Sequence, residues 1–362
     1  MINVALVGVG NCASSLVQGL AYCKARGDQA VGVPFPRLGR YRPGDIEIVC
    51  AVDVDARKVG LDLNEAIFAD PNCTLRFYPD VGLSGVVVRR GPTLDGVSAL
   101  MRSHPEPTNF VLSDQPEESK EQIVASFADA DVVLNFLPVG SQKATEFYAA
   151  CAIEAGAAFV NGIPVFIGSN PGWAERFREA NLPVLGDDFK AQIGATIVHR
   201  ALMRLFDRRG AEVDRTYQLN VGGNTDFLNM MEPDRLTDKR MSKTESVQSS
   251  AKERLERSQI RIGPSDYVPW LMDQKVAYIR VEGRLFGGVP VHLETRLAVE
   301  DSPNAAAMAM IAIRCARIAL DRKIGGPVHD VCGFLFKHPP RQVDDAEAYE
   351  ALMSFGSLEA TG

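Results

Sequence analysis

The sequence has few of the residues that build disulfide frameworks or tight metal sites. Its seven cysteines are odd in number, scattered, and nowhere spaced as C-x-x-C, so we predict reduced, mostly buried thiols. The five histidines are widely separated, and we interpret each as a structural or surface residue. They are His104, His199, His292, His329 and His338. A tight zinc site built from these residue types is therefore not expected.

Long apolar runs and an excess of positive charge are also missing. The longest apolar stretches, such as 133–139 and 305–313, fall short of the ~18 residues that a membrane-spanning helix needs. Residues 1–8 have no basic segment and run directly into a strand-like segment, which argues against a signal peptide. The net charge of −7 provides no overall basic field for nucleic acid. We expect a cytoplasmic protein with no membrane or nucleic-acid partner.

Lysine is scarce among the basic residues, since only 11 of the 39 are Lys. A desolvated Lys can act as an acid, a base or a compact phosphate clamp, whereas Arg keeps its proton. Four lysines are therefore candidates for chemistry, although ordinary solvated lysines remain the alternative and the sequence does not show that they converge. They are Lys239, Lys243, Lys275 and Lys337.

The first half of the sequence alternates short apolar runs with amphipathic segments. A strand over 3–7 is followed at Gly8 by a tight turn and a helix. Further strands are predicted at 46–53, 132–137, 158–161 and 183–185, and helices at about 119–130, 144–154 and 171–180. This alternation is typical of a parallel sheet with helices on both faces.

The pattern changes after about residue 215. Longer alternating segments predict strands at 215–221, 276–282 and 291–299, and thus a second, mainly antiparallel sheet. The charge-dense segment 234–257 is expected to be a helix, a mobile loop or both. An Ala-rich helix over 305–320 is expected to pack back onto the first domain.

The segment Gly8-Val9-Gly10-Asn11-Cys12-Ala13 has the form G-x-G-x-x-A, after a strand and at the start of a helix. Glycine lets the backbone approach a pyrophosphate, whose charge is stabilised by free N–H groups at the helix N-terminus. A tight strand–helix turn without a ligand is the alternative. The context predicts an α/β fold: a discontinuous Rossmann-type NAD-binding domain (1–200 and 305–362) and an inserted α+β domain (201–304).

Two carboxylates are candidates for the adenosine side of the cofactor. Asp53 ends the second strand, where a carboxylate accepts hydrogen bonds from ribose hydroxyls and repels a 2′-phosphate, so NAD is favoured over NADP. Its separation of 45 residues from Gly8 is about twice the usual interval, so residues 24–44 must loop out. A surface turn is the alternative for Asp53. Asp62 is either a second adenosine contact or a solvated helix residue.

Further polar residues follow the predicted strands of the first sheet. Tyr148 is either a cofactor neighbour or a buried core residue, and it lies beyond the segment 135–141 at the carboxyl edge of the sheet. Asp187 and Asp188 follow a short strand, and adjacent acids there are metal ligands, cofactor contacts or a solvated turn. Asp226 and Asp301 are further candidates, and for them, as for the four lysines, an ordinary solvated side chain is the alternative.

Several blocks in order carry a resemblance to a known family, among them VGVGNCASSLVQG, DVDARKVG, LPVGS, GDDFK, NVGGNTDFLNM, DKRMSKTESV, DQKV and EDSPNAAA. The chain resembles the myo-inositol-1-phosphate synthases, in particular their shorter bacterial and archaeal branch. The likeness covers nearly the whole length.

The resemblance implies active-site roles for the four lysines, in the contexts TDKR, MSKT, DQKV and LFKH. Asp226 and Asp301 match acidic positions near the nicotinamide and the substrate. Asp226 and Lys239 are also expected near the cofactor. Asp187 and Asp188 match an acidic pair before a lysine. Ala191 stands where relatives often carry Ser, so only its backbone N–H remains for the cofactor.

The implied reaction converts glucose 6-phosphate to inositol phosphate with NAD and no net redox change: oxidation at C5, loss of a C6 proton, aldol closure onto C1 and re-reduction. We assign proton transfer at C5 to Lys239, substrate support to Lys243, and oxyanion stabilisation to Lys275 and Lys337. A divalent or monovalent cation and a homotetramer are further implications, with 201–304 as the catalytic and oligomerisation domain. The alternatives are a cyclase of another sugar phosphate, an NAD-dependent dehydrogenase and a non-catalytic NAD-binding regulator.

Overall fold

The computed structural model describes residues 1–232, 235, 237–250 and 254–357, with the backbone alone for 237–242. Within these residues the chain builds two β-sheets, one of seven strands and one of four. The first sheet is parallel and is flanked by helices, and the second is mixed. This arrangement confirms the predicted fold class.

The first sheet is formed by short, almost fully buried strands. In chain order they are β1 (Ile2–Val7), β2 (Ile46–Asp53), β3 (Val88–Arg90), β4 (Val132–Asn135), β5 (Ala158–Asn161), β6 (Pro183–Leu185) and β11 (Gly326–Pro327). Their order across the sheet is β11-β6-β5-β4-β1-β2-β3. Strands β2 and β3 lie on one side of β1, and β4, β5 and β6 lie on the other. The carboxyl end of β1 is therefore a topological switch point, where ligands of such sheets bind.

Helices cover both faces of this sheet, and two further helices follow its last strand in the sequence. They are α1 (Asn11–Arg26), α2 (Leu63–Ala66), α3 (Ala99–Ser103), α4 (Lys120–Ser126), α5 (Gln142–Ala155), α6 (Pro171–Glu179), α10 (Asp301–Asp321), α11 (His329–Leu335) and α12 (Asp345–Ser357). A capping box of Ser119 and Gln122 is present at the start of α4. Predicted and observed ends differ by a few residues, as local signals at helix ends are weak.

Helix α10 is the central core helix of the molecule. It is long and apolar enough to cross a membrane by length and composition, with a mean hydropathy of 1.2 over its most apolar window, but 72% of that window is buried inside the protein. Its Ala, Met and Ile side chains pack with β1, β4 and α1 in one large cluster. Burial of this kind identifies α10 as a core element, as expected from the sequence.

The second sheet has the order β10-β9-β7-β8. Its strands are β7 (Glu212–Gly222), β8 (Ile260–Tyr267), β9 (Gln274–Arg284) and β10 (Pro290–Glu300). The pairs β7–β9 and β9–β10 are antiparallel, whereas β7–β8 is parallel. The sheet is thus mainly antiparallel as predicted, but β8 did not stand out in the sequence, because its Gly263-Pro264 interrupts the apolar alternation.

Two helices cover the inner face of the second sheet, α7 (Ala195–Arg208) and α9 (Thr237–Gln248), while the short α8 (Thr225–Asn229) follows β7. Met203 and Phe206 of α7 pack with Val281 of β9 and with Val247 of α9. The predicted domain boundary at residue 200 falls inside α7, whose Ala195, His199, Met203 and Phe206 pack against the second sheet. We therefore propose a boundary close to Gly194.

Candidate active site

A large cavity opens at the carboxyl end of the first sheet and extends to the inner face of the second. It is lined by the loops after β1, β2 and β4, by the first turns of α1, α7 and α10, and by residues of α8, α9 and β9. The predicted residues that line it are Gly8, Gly10, Asn11, Cys12, Asp53, Tyr148, Asp188, Ala191, Asp226, Lys243, Lys275, Asp301 and Lys337. Residues far apart in the sequence therefore share one site.

The glycine-rich loop between β1 and α1 brings the backbone to the cavity. Gly8 has a φ of +90°, and a Cβ atom there would lie 2.8 Å from the carbonyl oxygen of Phe136, so only glycine fits without strain. At Gly10 a Cβ atom would meet nothing within 4 Å. Gly10 is the N-cap of α1, where no side chain caps the helix and no acidic residue lies in the first turn. The free N–H groups face the cavity and suit an anion.

Asp53 links the end of β2 to this loop. Its Oδ2 accepts a hydrogen bond of 2.6 Å from Val9 N, and its Oδ1 accepts bonds of 2.6 Å and 2.9 Å from Val54 N and Asp55 N. A carboxylate has about four lone-pair positions, so one position remains for a further donor from the cavity. Asp53 is 8% exposed, and its three hydrogen bonds fix the orientation of the carboxylate.

Lys58 is a cavity residue that the sequence did not single out. Its Nζ donates to Val9 O at 2.8 Å and to Asn72 Oδ1 at 2.9 Å. Burial lowers the pKa of Lys58, and the nearby Asp53 opposes that change. The signal available in the sequence was a lone Lys five residues after Asp53, in a protein that otherwise prefers Arg. Its contacts make it a second support of the glycine-rich loop.

Three residues predicted to contact the cofactor lie outside the cavity lining. Asp62 caps α2 through Asn64 N and also accepts from the backbone N–H groups of Ser84 and Gly85. Asp62 thus caps a turn outside the cavity lining, and its contact with adenosine stays a prediction. Ala13 is fully buried in the core, where its small size allows α1 to pack closely.

Asp187 is the third of these residues and is also structural. It is completely buried, and its carboxylate accepts from Asn161 Nδ2 at 2.7 Å and from Ser169 Oγ at 2.8 Å. Backbone N–H groups of 167–169 donate to it as well. Burial raises the pKa of Asp187 despite these bonds. Its neighbour Asp188 alone of the adjacent pair lines the cavity.

Asp188 and Lys337 face each other across a short antiparallel ladder, here called the 188–337 ladder. Lys337 Nζ lies 2.7 Å from Asp188 Oδ1, with the two side chains 12% and 5% exposed. The backbone bonds of the ladder are Asp187 N to His338 O at 2.9 Å, His338 N to Asp187 O at 3.0 Å, Lys337 N to Asp188 O at 2.7 Å and Lys190 N to Leu335 O at 2.8 Å. The ladder joins the C-terminal segment to the end of β6 and so places Lys337 in the cavity.

Lys275 and Asp301 form a second ion pair across the cavity. Lys275 Nζ donates to Asp301 Oδ1 at 2.8 Å, and the side chains are 16% and 22% exposed. Asp226 lies in the first turn of α8, which is capped by Asn224 Oδ1. Lys243 projects from α9 and is 3% exposed. The side chain of Lys239 lies outside the described residues.

Asp273 is a functional-site residue that the sequence reasoning missed, although it precedes Lys275 by two positions. Its carboxylate accepts from Asn224 Nδ2 at 2.9 Å and from Ser302 Oγ at 2.8 Å, and its backbone oxygen accepts from Asp301 N at 3.0 Å. Burial raises the pKa of Asp273 to about 6, and the charge of Asp301 adds to the rise. Asp273 therefore holds together the segments that carry Asp226, Lys275 and Asp301.

The N-terminus of α7 is another part of the site without a sequence signal. Its N-cap, Gly194, has no capping side chain, and residues 194–197 line the cavity. Ala191 lies beside this turn, since a Cβ atom on Gly194 would be 2.7 Å from that of Ala191. Free backbone N–H groups and the helix dipole make this turn suited to an anionic group.

Tyr148 closes the cavity near β2. It is 2% exposed, and burial raises the pKa of its phenol. A Cβ atom on Gly91 would lie 2.1 Å from its hydroxyl oxygen, so Gly91 gives the ring its space. The phenol stays protonated at any ordinary pH and offers a hydrogen-bond donor.

Metal ligands are not grouped in the described part of the chain. In residues 1–232 and in the later described ranges, no set of three or more His, Cys, Asp or Glu side chains could hold a metal ion.

The fold is that of an α/β protein in which a large parallel sheet and a separate mixed sheet border one cavity. Residues 194–302 match the family model of myo-inositol-1-phosphate synthase. The chain is 50% identical to inositol-3-phosphate synthase of Mycobacterium tuberculosis over 98% of its length and 95% of that protein. It is 49% identical to the Corynebacterium glutamicum enzyme of the same name, with 98% of each chain covered.

A solved structure shares the same architecture. A myo-inositol-1-phosphate synthase-related protein from Thermotoga maritima matches with a TM-score of 0.78 and 27% identity over 99% of both chains. The chain belongs to the myo-inositol-1-phosphate synthase family.

Proposed function

We propose that the protein is an NAD-dependent inositol-3-phosphate synthase, which converts glucose 6-phosphate to inositol phosphate without net redox change. The observation that carries this proposal is the meeting of Lys243, Lys275 and Lys337 in the cavity that the glycine-rich loop also lines. An ordinary dehydrogenase needs one acid or base at the reacting carbon. Three cations from separate elements suit a reaction that develops negative charge on several oxygens.

The residues of the glycine-rich loop fit NAD. The close approach at Gly8, the open space at Gly10 and the uncapped N-terminus of α1 suit a pyrophosphate, and Asp53 keeps an acceptor position for a ribose hydroxyl. When bound, NAD would accept hydride from C5 of the sugar phosphate and later return it. The carboxylate of Asp53 disfavours the 2′-phosphate of NADP.

The substrate phosphate fits the first turn of α7. The turn offers free N–H groups at 194–197, and Lys243 lines the same cavity from α9. Both features favour a dianionic group. The remaining carbons of the sugar would then lie towards Lys275 and Lys337.

The four lysines have separate roles in proton transfer, substrate binding and the stabilisation of negative charge. Lys239 transfers the proton of the C5 hydroxyl, and Lys243 supports the substrate. Lys275 and Lys337 donate hydrogen bonds to the oxygens that become negative during enolisation and ring closure, each oriented by its carboxylate partner, Asp301 or Asp188. Fixed donors of this kind cost no reorganisation during the reaction.

Self-association as a homotetramer is proposed for the second sheet. Strand β10 is an edge strand with alternating exposed residues, and an edge of this length is normally covered. Apolar residues beside it are exposed, among them Phe286 at 100% and Trp270 at 81%.

We also propose that the protein works in the cytoplasm. The first domain would hold the cofactor, and the inserted domain would complete the catalytic site.

The test is an assay of the purified protein with NAD⁺ and glucose 6-phosphate, with product analysis for inositol phosphate and absorbance for NADH. Inositol phosphate without accumulating NADH is expected. Accumulating NADH would identify a dehydrogenase instead. If there is no turnover with glucose 6-phosphate, other sugar phosphates distinguish a related cyclase, and NAD binding without any turnover identifies a regulator.

A further inference from the structure

Two buried cations, Lys190 and Arg200, share the carboxylate of Asp345, whose side chain is 38% exposed, outside the lining of the cavity. Lys190 and Arg200 are 1% and 0% exposed. Lys190 Nζ lies 3.3 Å from Asp345 Oδ1, and Arg200 Nε lies 2.7 Å from Asp345 Oδ2. We propose that this charge cluster of Lys190, Arg200 and Asp345 positions the active-site lysines Lys337 and Lys243 from two sides. The proposal rests on the function proposed above.

On one side the cluster fixes the 188–337 ladder. Lys190 is the last ladder residue on its strand, and its backbone N–H donates to Leu335 O. Its Nζ also donates to Gly333 O at 2.6 Å, in the helix that leads to Lys337. Both strands of the ladder are thus attached to one ammonium group. A shift of Lys190 would move Lys337 relative to Asp188.

On the other side the cluster fixes the C-terminal turn of α9. Arg200 Nη1 donates to the backbone oxygen of Ser246 and to Ser249 Oγ. The last carbonyls of a helix have no partner within the helix, and a buried guanidinium satisfies one of them here. Ser246 lies one turn after Lys243. Arg200 Nη2 also donates to Val343 O at 3.1 Å, so one guanidinium joins α9 to the C-terminal segment.

The chemistry of the cluster favours positioning over simple stabilisation. Two buried cations that share one acid are weak contributors to stability, because each loses its hydration. Their fixed donors do specify geometry, since Arg presents its N–H groups in a rigid fork. The cluster contacts neither NAD nor sugar directly, as none of its members lines the cavity. Its effect must pass through the lysines.

The cluster also affects the charge of Lys337. Burial, together with the charges of Arg200 and Lys337, lowers the pKa of Lys190 to about 8, and Asp345 opposes this change. Repulsion between two cations is mutual, so charged Lys190 also disfavours the protonated form of Lys337. Loss of the Lys190 charge should therefore raise the pKa of Lys337.

Two variants test the two sides of the cluster separately. Lys190→Met keeps the length of the side chain and leaves Arg200 paired with Asp345, so we expect the protein to fold. Arg200→Lys keeps the charge but loses the fork that reaches Ser246. Lys24→Met, at an exposed position of α1, is the matched control.

Amide hydrogen exchange measures the geometric part of the proposal without any assumption about the reaction. Exchange should become faster at 187–190 and 335–338 in Lys190→Met, and at 243–250 in Arg200→Lys. Amides of β2 should be unchanged in both variants. Unchanged exchange in both segments would overturn the proposal, even if the wild-type protein makes no inositol phosphate.

Steady-state kinetics measures the functional part. Both variants should lose about tenfold or more in kcat, with KM for NAD and for the sugar phosphate within about twofold, since a misplaced group costs rate more than binding. The basic limb of the pH profile should move upwards in Lys190→Met alone. Unchanged kcat despite faster exchange would also overturn the proposal. A wild-type protein without turnover would refute the proposed function, not the geometry.

Discussion

Lys275 in β9 donates a hydrogen bond of 2.8 Å to Asp301, the first residue of α10. The pair joins the inserted sheet to the core helix of the first domain at the edge of the cavity. Asp301 thereby orients an ammonium group whose stem is held by a strand, and the pair is partly shielded from solvent. A donor fixed in this way is suited to a developing oxyanion.

Replacement of Lys275 by Met should reduce turnover by about 10²–10³-fold, the usual cost of losing one oxyanion donor. NAD affinity, measured by titration, should stay within about twofold, because Lys275 lies apart from the glycine-rich loop. Lys120→Met is the control, since that exposed ion pair with Glu154 contributes little. Near wild-type turnover in Lys275→Met or Lys239→Ala would refute the assigned roles.

Gly8→Ala and Gly10→Ala should separate folding from cofactor binding. Alanine at Gly8 meets the Phe136 carbonyl and a φ of +90°, so we expect about 1–3 kcal/mol of destabilisation in thermal or urea unfolding without NAD. Alanine at Gly10 meets nothing within 4 Å and should change stability by less than about 1 kcal/mol.

The Gly10→Ala variant should nevertheless bind NAD more weakly, because its methyl group enters the space proposed for the pyrophosphate. Isothermal titration calorimetry measures this directly. Equal NAD affinity in wild type and Gly10→Ala would place the cofactor elsewhere.

Asp273 should make stability depend on pH. Its pKa of about 6 lies above the ordinary value of 3.8, so the folded protein binds the proton more tightly than the unfolded chain. Stability contributed by this group is therefore present below about pH 4 and is lost as the pH rises to about 6, in total about 3 kcal/mol.

An Asp273→Asn variant has no such titration. The difference in unfolding free energy between wild type and variant should change in favour of the variant between about pH 4 and pH 6, and stay constant above. Urea unfolding across this range measures it. A difference that is constant from pH 4 to pH 7 would contradict the raised pKa.

Phe286→Glu together with Trp270→Glu should weaken self-association. Both side chains are exposed beside the second sheet, and a charge placed in an interface is costly to bury. Analytical ultracentrifugation should show a lower mass at micromolar concentration. Leu83→Glu, at an exposed apolar position of the first domain, is the control and should keep the mass. An unchanged mass in the double variant would place the interface elsewhere.

The sequence predicted the first sheet well because buried parallel strands are short apolar runs that end at polar residues. β5 and β6 were predicted with the observed bounds, and the glycine-rich turn was recognised from its position between a strand and a helix. β8 was missed because Gly263 and Pro264 interrupt its apolar alternation. The strand is buried by contacts with α9 and β7, which come from other parts of the sequence.

The sequence shows which polar residues follow apolar runs, but not which neighbours they meet in the fold. Asp62 and Asp53 look alike in the sequence, since each is an acid near the end of an apolar run. Only the fold shows that Asp62 caps a helix whereas Asp53 faces the cavity. Lys58 and Asp273 act through neighbours from distant segments, so no local pattern distinguishes them from surface charges.

The most direct measurement uses glucose 6-phosphate that carries deuterium at C5, with NAD⁺ and the purified protein. We predict inositol phosphate that retains the deuterium, because the hydride taken from C5 returns to the same carbon within one site. Deuterium that accumulates in NADH, or an inositol phosphate without the label, would contradict a redox-neutral cyclisation.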